Sequence, residues 1–207
     1  MNYSELFISK IIVLVEIEDD KDAYDLASCL VDSGIINIEV ALRTSNSKKA
    51  AEIIKKNFPK INLGLGTVKS KDDVDFAINL SSKFCFAPDC NPKILGLCNQ
   101  KKIFFIPGIS NLEEIKLAKR YGYSLLKFFP AESLGGIKKL ELLNQKALEN
   151  NLSFIPSGGI NESNLNSYLN KSYVKAVAGS WIAPKEIISS RNWKEISQRA
   201  KISLNNI

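Results

Sequence analysis

The residue with the clearest chemical potential is a lysine inside an apolar run. Lys127 lies in the segment 125–130, LLKFFP, which predicts a β-strand that ends at Pro130. Burying an ammonium ion is costly, so a buried lysine favours the neutral amine, which is a nucleophile. Such an amine condenses with a carbonyl to form a Schiff base. The alternative is a strand-end lysine whose ammonium group reaches back to solvent.

The sequence excludes several other kinds of catalysis. It contains no histidine and four cysteines, none of them in a C-x-x-C pair: Cys29, Cys85, Cys90 and Cys98. A Cys/His zinc site, a Ser-His-Asp triad and a Cys-His pair are therefore not expected. Acid–base work must come from Glu, Asp, Lys, Tyr, Cys or water. We expect reduced thiols, no metal and no cofactor.

Composition predicts an ordinary globular protein. The 207 residues suit one domain, and 45% of them are hydrophobic. The net charge of +6 is spread among acidic residues, and no basic stretch is interleaved with aromatics, so a nucleic-acid partner is not expected. No apolar run reaches the length of a membrane span, and residues 1–10 lack the features of a signal peptide. We expect no membrane partner and a cytoplasmic location.

The elements that must position Lys127 alternate along the chain. Eight segments are predicted as strands: Ile11–Ile17, Ile35–Ala41, Ile61–Leu65, Lys83–Ala87, Lys102–Pro107, Ser124–Phe129, Ser153–Pro156 and Val174–Ala178. Helical patterns cover Asp20–Val31, Ser47–Asn57, Lys71–Leu80, Asn91–Gln100, Leu112–Tyr121, Ile137–Glu149, Asn161–Leu169 and Asn192–Leu204, and a short extra helix covers Tyr3–Ser9. This alternation predicts an α/β fold, a single-domain (β/α)8 TIM barrel over residues 1–207. A doubly wound open sheet is the competitor, but the first βα turn lacks G-x-G-x-x-G.

Polar residues and glycines gather where the predicted strands end. Alternation along each strand puts Glu39, Thr67 and Lys127 inside the barrel mouth if their faces point inward. A carboxylate near a Schiff-base lysine can move a proton between substrate carbon and solvent. Arg43 offers a forked donor for a carboxylate. Glycine-containing dipeptides that follow the last two strands are suited to phosphate binding: Gly158-Gly159 and Gly179-Ser180.

Each of these residues also has a structural explanation. Glu39 is compatible with pairing to a structural Arg or Lys, and Gly158-Gly159 is compatible with a simple tight turn. Thr67 and Ser180 are compatible with helix N-caps. Their common location at one end of consecutive strands favours the functional interpretation.

The motifs together resemble a known family, the 2-keto-3-deoxy-6-phosphogluconate (KDPG) and 4-hydroxy-2-oxoglutarate (KHG) aldolases. The matching segments run in the family's order: E-V-A-L-R-T at 39–44, G-L-G-T-V at 64–68, K-F-F-P-A-E at 127–132, P-S-G-G-I at 156–160 and G-S-W at 179–181. The resemblance implies a metal-independent class I aldolase, a (β/α)8 fold and a homotrimer. By the resemblance, Lys127 would form the Schiff base and Glu39 would be the general acid/base.

The resemblance also implies roles for the surrounding residues. Arg43, Thr67 and Ser157 would bind the substrate carboxylate. The phosphate would be held by Gly158, Gly159, Gly179 and Ser180, and Phe129 and Pro88 would line the pocket. The expected substrate is a phosphorylated 2-keto acid, cleaved to pyruvate and glyceraldehyde 3-phosphate as in the Entner–Doudoroff pathway.

Several positions depart from the family pattern: Val13, Glu16, Ala41, Asp89, Ser157 and Ala178. Glu16 and Asp89 add negative charge near the predicted mouth, which would weaken binding of an anionic substrate. The same-class alternatives are therefore cleavage of 4-hydroxy-2-oxoglutarate or of 2-keto-3-deoxy-6-phosphogalactonate. A phosphate-binding isomerase would leave Lys127 without a role, and a non-catalytic phosphosugar-binding protein is the alternative from another class.

Overall fold

Strands and helices alternate along the chain in the computed structural model, which describes residues 6–147 and 151–207. The strands are β1 Ile11–Val15, β2 Asn37–Ala41, β3 Asn62–Gly66, β4 Phe84–Phe86, β5 Phe105–Ile106, β6 Gly108–Ile109, β7 Leu125–Phe128, β8 Ser153–Pro156 and β9 Val177–Gly179. Each predicted strand thus has a counterpart, generally shortened at its ends.

The helices follow the predicted order. They are α1 Asp22–Asp32, α2 Ser47–Asn57, α3 Lys71–Asn79, α4 Pro92–Gln100, α5 Leu112–Arg120, α6 Gly136–Lys146, α7 Leu165–Leu169, α8 Lys185–Ser189 and α9 Trp193–Asn205, with a 3-10 turn at Glu132–Leu134. Helix α8 and the 3-10 turn were not predicted. No helix in the described ranges is long and apolar enough to cross a membrane.

The strands form two parallel sheets, as the alternation predicts. Six strands lie in the order β5-β4-β3-β2-β1-β9, and three lie in the order β6-β7-β8. Isolated bridges between Phe154 and Val174 and between Ser157 and Ala178 connect β8 to the chain around β9. At the other junction, β5 and β6 are consecutive and only Pro107 separates them. Because proline has no N–H for the ladder, β5 ends at Ile106, inside the predicted strand 102–107, and β6 lies beyond that predicted strand.

The sheets curl around their own side chains. The larger apolar core lies between strands and helices. A smaller one gathers strand residues from both sheets: Ile12, Phe84, Phe86, Ile106, Leu125, Ile155 and Ala178. Since alternate residues of a strand point to opposite faces, Lys127 lies on the same face as Leu125. The predicted inward face of β7 therefore carries the lysine.

The amino-terminal segment covers one end of the smaller core. Phe7 is buried, with its ring centroid 5.2 Å from that of Phe84. The predicted helix Tyr3–Ser9 begins outside the described residues. Within them, only Leu6 is helical and residues 7–9 form a turn.

One helix prediction needs correction, and another extends past the residues that the structure describes. The pattern from Asn161 predicted a helix, but α7 begins at Leu165. Asn161 accepts hydrogen bonds from the backbone and hydroxyl of Ser163 at 2.9 and 2.6 Å, and such side-chain bonds compete with the helix. The predicted end of the helix Ile137–Glu149 falls partly on residues 148–150, outside the described residues.

Candidate active site

The predicted nucleophile and the predicted acid/base are in direct contact. Lys127 lies in β7 and Glu39 in β2, and 3.2 Å separates Lys127 Nζ from Glu39 Oε1. Lys127 is 3% exposed and Glu39 is 1% exposed. The snorkelling alternative is therefore wrong, because the amino group is buried inside the curled sheets.

This pair is poorly suited to a purely stabilising role. Removing two charges from water costs several kcal/mol for each ion, which attraction offsets only when further hydrogen bonds complete the pair. Glu39 Oε2 is buried and has no hydrogen-bond partner in the part of the chain that the structure describes. An incomplete buried pair is a common mark of a chemical site.

Glycines of β3 provide the room for this pair. A β-carbon on Gly66 would lie 2.2 Å from Glu39 Oε1, and one on Gly64 would lie 2.0 Å from the Phe84 ring. Neither position accepts a side chain without moving its neighbour. The glycines of the G-L-G-T segment thus make space for the carboxylate and for the core beneath it.

Two aromatic rings surround the amino group of Lys127. Its Nζ lies 4.7 Å from the ring centroid of Phe86 and 5.4 Å from that of Phe129. The negative face of each ring attracts the ammonium form of the lysine, in addition to the Glu39 carboxylate. The two rings also cover part of the space around the amine.

Arg43 and Thr67 meet at the same end of the strands. Arg43 Nε donates to Thr67 Oγ1 at 3.1 Å. The arginine's Nη1 points instead to Glu16 Oε2 at 3.4 Å, and the other Glu16 oxygen lies 3.8 Å from Lys185 Nζ. The added charge of Glu16 is therefore matched by two cations. It nevertheless occupies part of the fork expected to bind a substrate carboxylate.

The two glycine segments lie next to each other. Ser157 pairs with Ala178 through an isolated bridge, so Gly158 and Gly179 follow on neighbouring strand ends. Gly158 and Gly159 have φ values of +92° and +83°, a region that favours glycine. Ser157 is buried, whereas Ser180 is exposed.

Pro88 reaches the site through its backbone. A β-carbon on Gly108 would lie 2.3 Å from the carbonyl carbon of Pro88, and Gly108 is the register partner of Lys127. The next residue, Asp89, is exposed and accepts from the Gly108 amide at 3.2 Å through its carbonyl. The Pro88 segment thus packs on β6, the strand that pairs with β7 beside Lys127.

The cysteines do not offer a second nucleophile. All four are free thiols, and burial raises the pKa values of Cys85 and Cys98 to about 12. No group of three or more Cys, His, Asp or Glu side chains suited to a metal ion occurs within residues 6–147 and 151–207.

A comparison with known families settles the relationship. The family model described as KDPG and KHG aldolase matches residues 4–199. The chain belongs to this aldolase family. A 2-dehydro-3-deoxy-phosphogluconate aldolase of Haemophilus influenzae is 32% identical over 189 residues, covering 91% of this chain and 88% of the relative. One from Treponema pallidum is 32% identical over 195 residues, covering 94% and 92%.

A solved member of the aldolase family has the same fold. The KDPG aldolase of Legionella pneumophila superposes with a TM-score of 0.90 at 32% identity, covering 97% of both chains. That crystal structure contains pyruvate captured at low pH as a covalent carbinolamine intermediate. The predicted relationship to class I aldolases, which are lyases, is confirmed.

Sequence reasoning missed two contributors to this candidate site. Phe86 contacts the amine, and Gly66 admits the carboxylate. Phe84 and Phe86 alternate along β4, which is a signal that both rings face the interior. The need for a glycine beside Glu39 had no local signal, since it depends on pairing between β2 and β3.

Proposed function

We propose that this chain cleaves 2-keto-3-deoxy-6-phosphogluconate reversibly to pyruvate and glyceraldehyde 3-phosphate through a Schiff base on Lys127. The observation that carries the proposal is the buried contact of Lys127 with Glu39 in a member of the KDPG and KHG aldolase family. A buried lysine with an adjacent proton acceptor has the two properties that a Schiff-base nucleophile needs.

The first half of the reaction forms the electron sink. The ammonium of Lys127 gives up a proton to Glu39, 3.2 Å away, and the neutral amine attacks the C2 ketone. The resulting carbinolamine loses water with protonation of its hydroxyl by Glu39, which gives an iminium ion. Burial favours each step that reduces charge separation between the two groups.

The second half cleaves the carbon–carbon bond. Glu39, acting through a water molecule, takes the proton of the C4 hydroxyl while the C3–C4 bond breaks. The bonding electrons move into the iminium to form an enamine, and glyceraldehyde 3-phosphate leaves. Protonation at C3 and hydrolysis then release pyruvate and regenerate the amine. Proton transfer of this kind contributes on the order of 10²–10⁴ in rate.

The substrate's two anionic ends bind at separate strand ends. Arg43, Thr67 and Ser157 hold the carboxylate near C2. The amides of Gly158, Gly159 and Gly179 and the hydroxyl of Ser180 hold the phosphate. The hydrogen bond from Arg43 to Thr67 supports the first assignment, and the bridge that joins the two glycine segments supports the second.

Borohydride trapping with pyruvate tests the proposal directly. Peptide mapping of the reduced adduct should find it on Lys127 and lose it in Lys127→Met. Glu39→Gln should still form the adduct on Lys127, but more slowly, and should lower kcat by about 10²–10⁴-fold. An adduct on another lysine, or none, refutes the mechanism. A coupled assay for pyruvate release from the phosphogluconate substrate then measures turnover.

The second candidate substrate is 4-hydroxy-2-oxoglutarate, because the matching family model covers both aldolase types. It ends in a carboxylate where the first candidate ends in a phosphate. Comparing kcat/KM for the two, with the phosphogalactonate isomer as a third substrate, separates these assignments. Ligand binding without any pyruvate release would instead support a non-catalytic phosphosugar-binding protein.

We also propose the finer architecture and assembly implied by the family resemblance. The two parallel sheets form one closed (β/α)8 barrel in a single domain over residues 1–207, with the bridges beside β9 and the turn at Pro107 as its junctions. A homotrimer is the proposed assembly, and analytical ultracentrifugation tests it. The proposed location is the cytoplasm, with no cofactor and no nucleic-acid or membrane partner.

A further inference from the structure

The proposed phosphate-binding turn is fixed in place by a tyrosine–glutamate pair outside the reacting centre. Tyr168 in α7 is completely buried, and its hydroxyl donates to Glu132 Oε1. Burial, reinforced by this bond, raises the pKa of Tyr168. The hydroxyl therefore remains a donor at neutral pH.

Glu132 contacts the turn with both its backbone and its side chain. Its amide donates to the Gly158 carbonyl at 3.0 Å. A β-carbon on Gly159 would lie 2.6 Å from Glu132 Cβ, so the glutamate stem packs directly on the turn. Any displacement of Glu132 is thus transmitted to both glycines.

The turn's carbonyl groups are all engaged. The Gly159 carbonyl accepts from Asn164 Nδ2 at 3.0 Å and from Asn161 Nδ2 at 3.3 Å. The Gly158 carbonyl accepts from the Glu132 amide at 3.0 Å. Because both carbonyl oxygens are held by other groups, an anion would meet the N–H side of this turn.

The pair also controls where the Glu132 charge lies. A β-carbon on Gly136, the first residue of α6, would lie 3.1 Å from Glu132 Oε1. The carboxylate therefore rests at the amino terminus of a helix, where the helix dipole stabilises negative charge. Without the Tyr168 hydroxyl, this exposed side chain is released to swing over the turn and repel a phosphate.

We propose that Tyr168 and Glu132 are positioning residues that hold the Gly158-Gly159 turn open to the substrate phosphate and keep the Glu132 carboxylate away from it. This inference rests on the phosphate role given to the turn under the proposed function. Neither residue touches the reacting carbons, so the effect is confined to the phosphorylated end of the substrate.

Tyr168→Phe is the test, because it removes the hydroxyl and keeps the ring. The dissociation constant for inorganic phosphate, measured by titration calorimetry, and KM for the phosphorylated substrate should each rise about three- to tenfold. The value of kcat and the KM for 4-hydroxy-2-oxoglutarate should stay within twofold. Glu132→Gln, which keeps an acceptor and loses the charge, should retain wild-type phosphate affinity.

Two further variants separate positioning from general destabilisation. Tyr123→Phe removes a hydroxyl whose 2.9 Å bond goes to the Leu95 carbonyl, far along the chain from the turn, and should leave phosphate affinity unchanged. Adding Glu132→Gln to Tyr168→Phe should restore much of the lost affinity, since the repelling charge is gone.

The outcomes distinguish this inference from the proposed function. A wild-type protein that forms the pyruvate adduct but binds phosphate equally well in all variants, or not at all, overturns the positioning role and leaves the aldolase intact. Absence of the adduct together with weakened phosphate binding in Tyr168→Phe overturns the aldolase and supports the positioning role.

Discussion

Replacing Gly66 by alanine should disable catalysis without a change to any group that performs it. The added β-carbon would lie 2.2 Å from Glu39 Oε1, 2.9 Å from its Cδ and 3.0 Å from its Cγ. Since non-bonded heavy atoms settle at about 3.5 Å, the carboxylate must retreat by roughly 1 Å. That displacement stretches its 3.2 Å contact with Lys127 and misdirects the proton transfer.

A misplacement of about 1 Å at a reacting group costs on the order of 10² in rate. We therefore expect kcat of Gly66→Ala to fall about 100-fold in the coupled pyruvate assay, with KM within about threefold. Gly96→Ala is the matched control, because its β-carbon would meet Tyr121 at an ordinary 3.6 Å. Circular dichroism verifies that both variants fold. A folded Gly66→Ala enzyme with wild-type kcat refutes the argument that this glycine sets the position of Glu39.

Three other predictions concern charge, backbone and pH. Glu16→Gln should lower KM for the keto acid about two- to fivefold, because the exposed Arg43 loses a competing carboxylate. The control variant Glu18→Gln should leave KM unchanged. A higher KM in Glu16→Gln would show that Glu16 instead positions Arg43. Gly159→Ala should raise KM for the phosphorylated substrate at least about tenfold. The reason is that φ at this position is +83° and the new β-carbon would lie 2.6 Å from the Glu132 side chain. An unchanged KM in steady-state kinetics would contradict this prediction. Burial raises the pKa of Cys85 from 9.0 to about 12, so its contribution to stability is complete below pH about 9 and is lost as the pH rises toward 12. Urea denaturation from pH 8 to 11 should therefore show a free energy of unfolding that falls as the pH rises, and the fall should be shallower in Cys85→Ala. If the free energy of unfolding falls equally steeply with pH in both proteins, Cys85 makes no such contribution.

The alternation of strands and helices was predictable because it follows from local patterns. The eight predicted strands all recur, and α2 was predicted with its observed bounds of Ser47–Asn57. Apolar residues that recur every second position indicate a strand, and those that recur about every 3.6 positions indicate a helix. Both patterns can be recognised within a short stretch of sequence. Local effects explain the exceptions: Asn161 forms a turn ahead of α7, and Pro107 ends the ladder between β5 and the unpredicted strand β6.

The candidate site was predictable in its members but not in its contacts. Alternation put Lys127 and Glu39 on inward faces, and the curl of the sheets then brought them to 3.2 Å. The sequence could not show that Glu16 pairs with Arg43, since the two belong to different strand ends. An added negative charge was expected to weaken anion binding generally, whereas its observed contact is with one particular arginine.

The sequence by itself determined the kinds of chemistry available. With no histidine and one lysine inside an apolar strand, it pointed to amine catalysis and, through its motifs, to the aldolase family. Only the tertiary structure decided the surroundings of Lys127, because its burial, its carboxylate partner and the Phe86 ring come from β7, β2 and β4 together. It also decided that Tyr168 and Glu132 bear on the glycine turn. Residue types are local, but burial and distance depend on how remote segments pack.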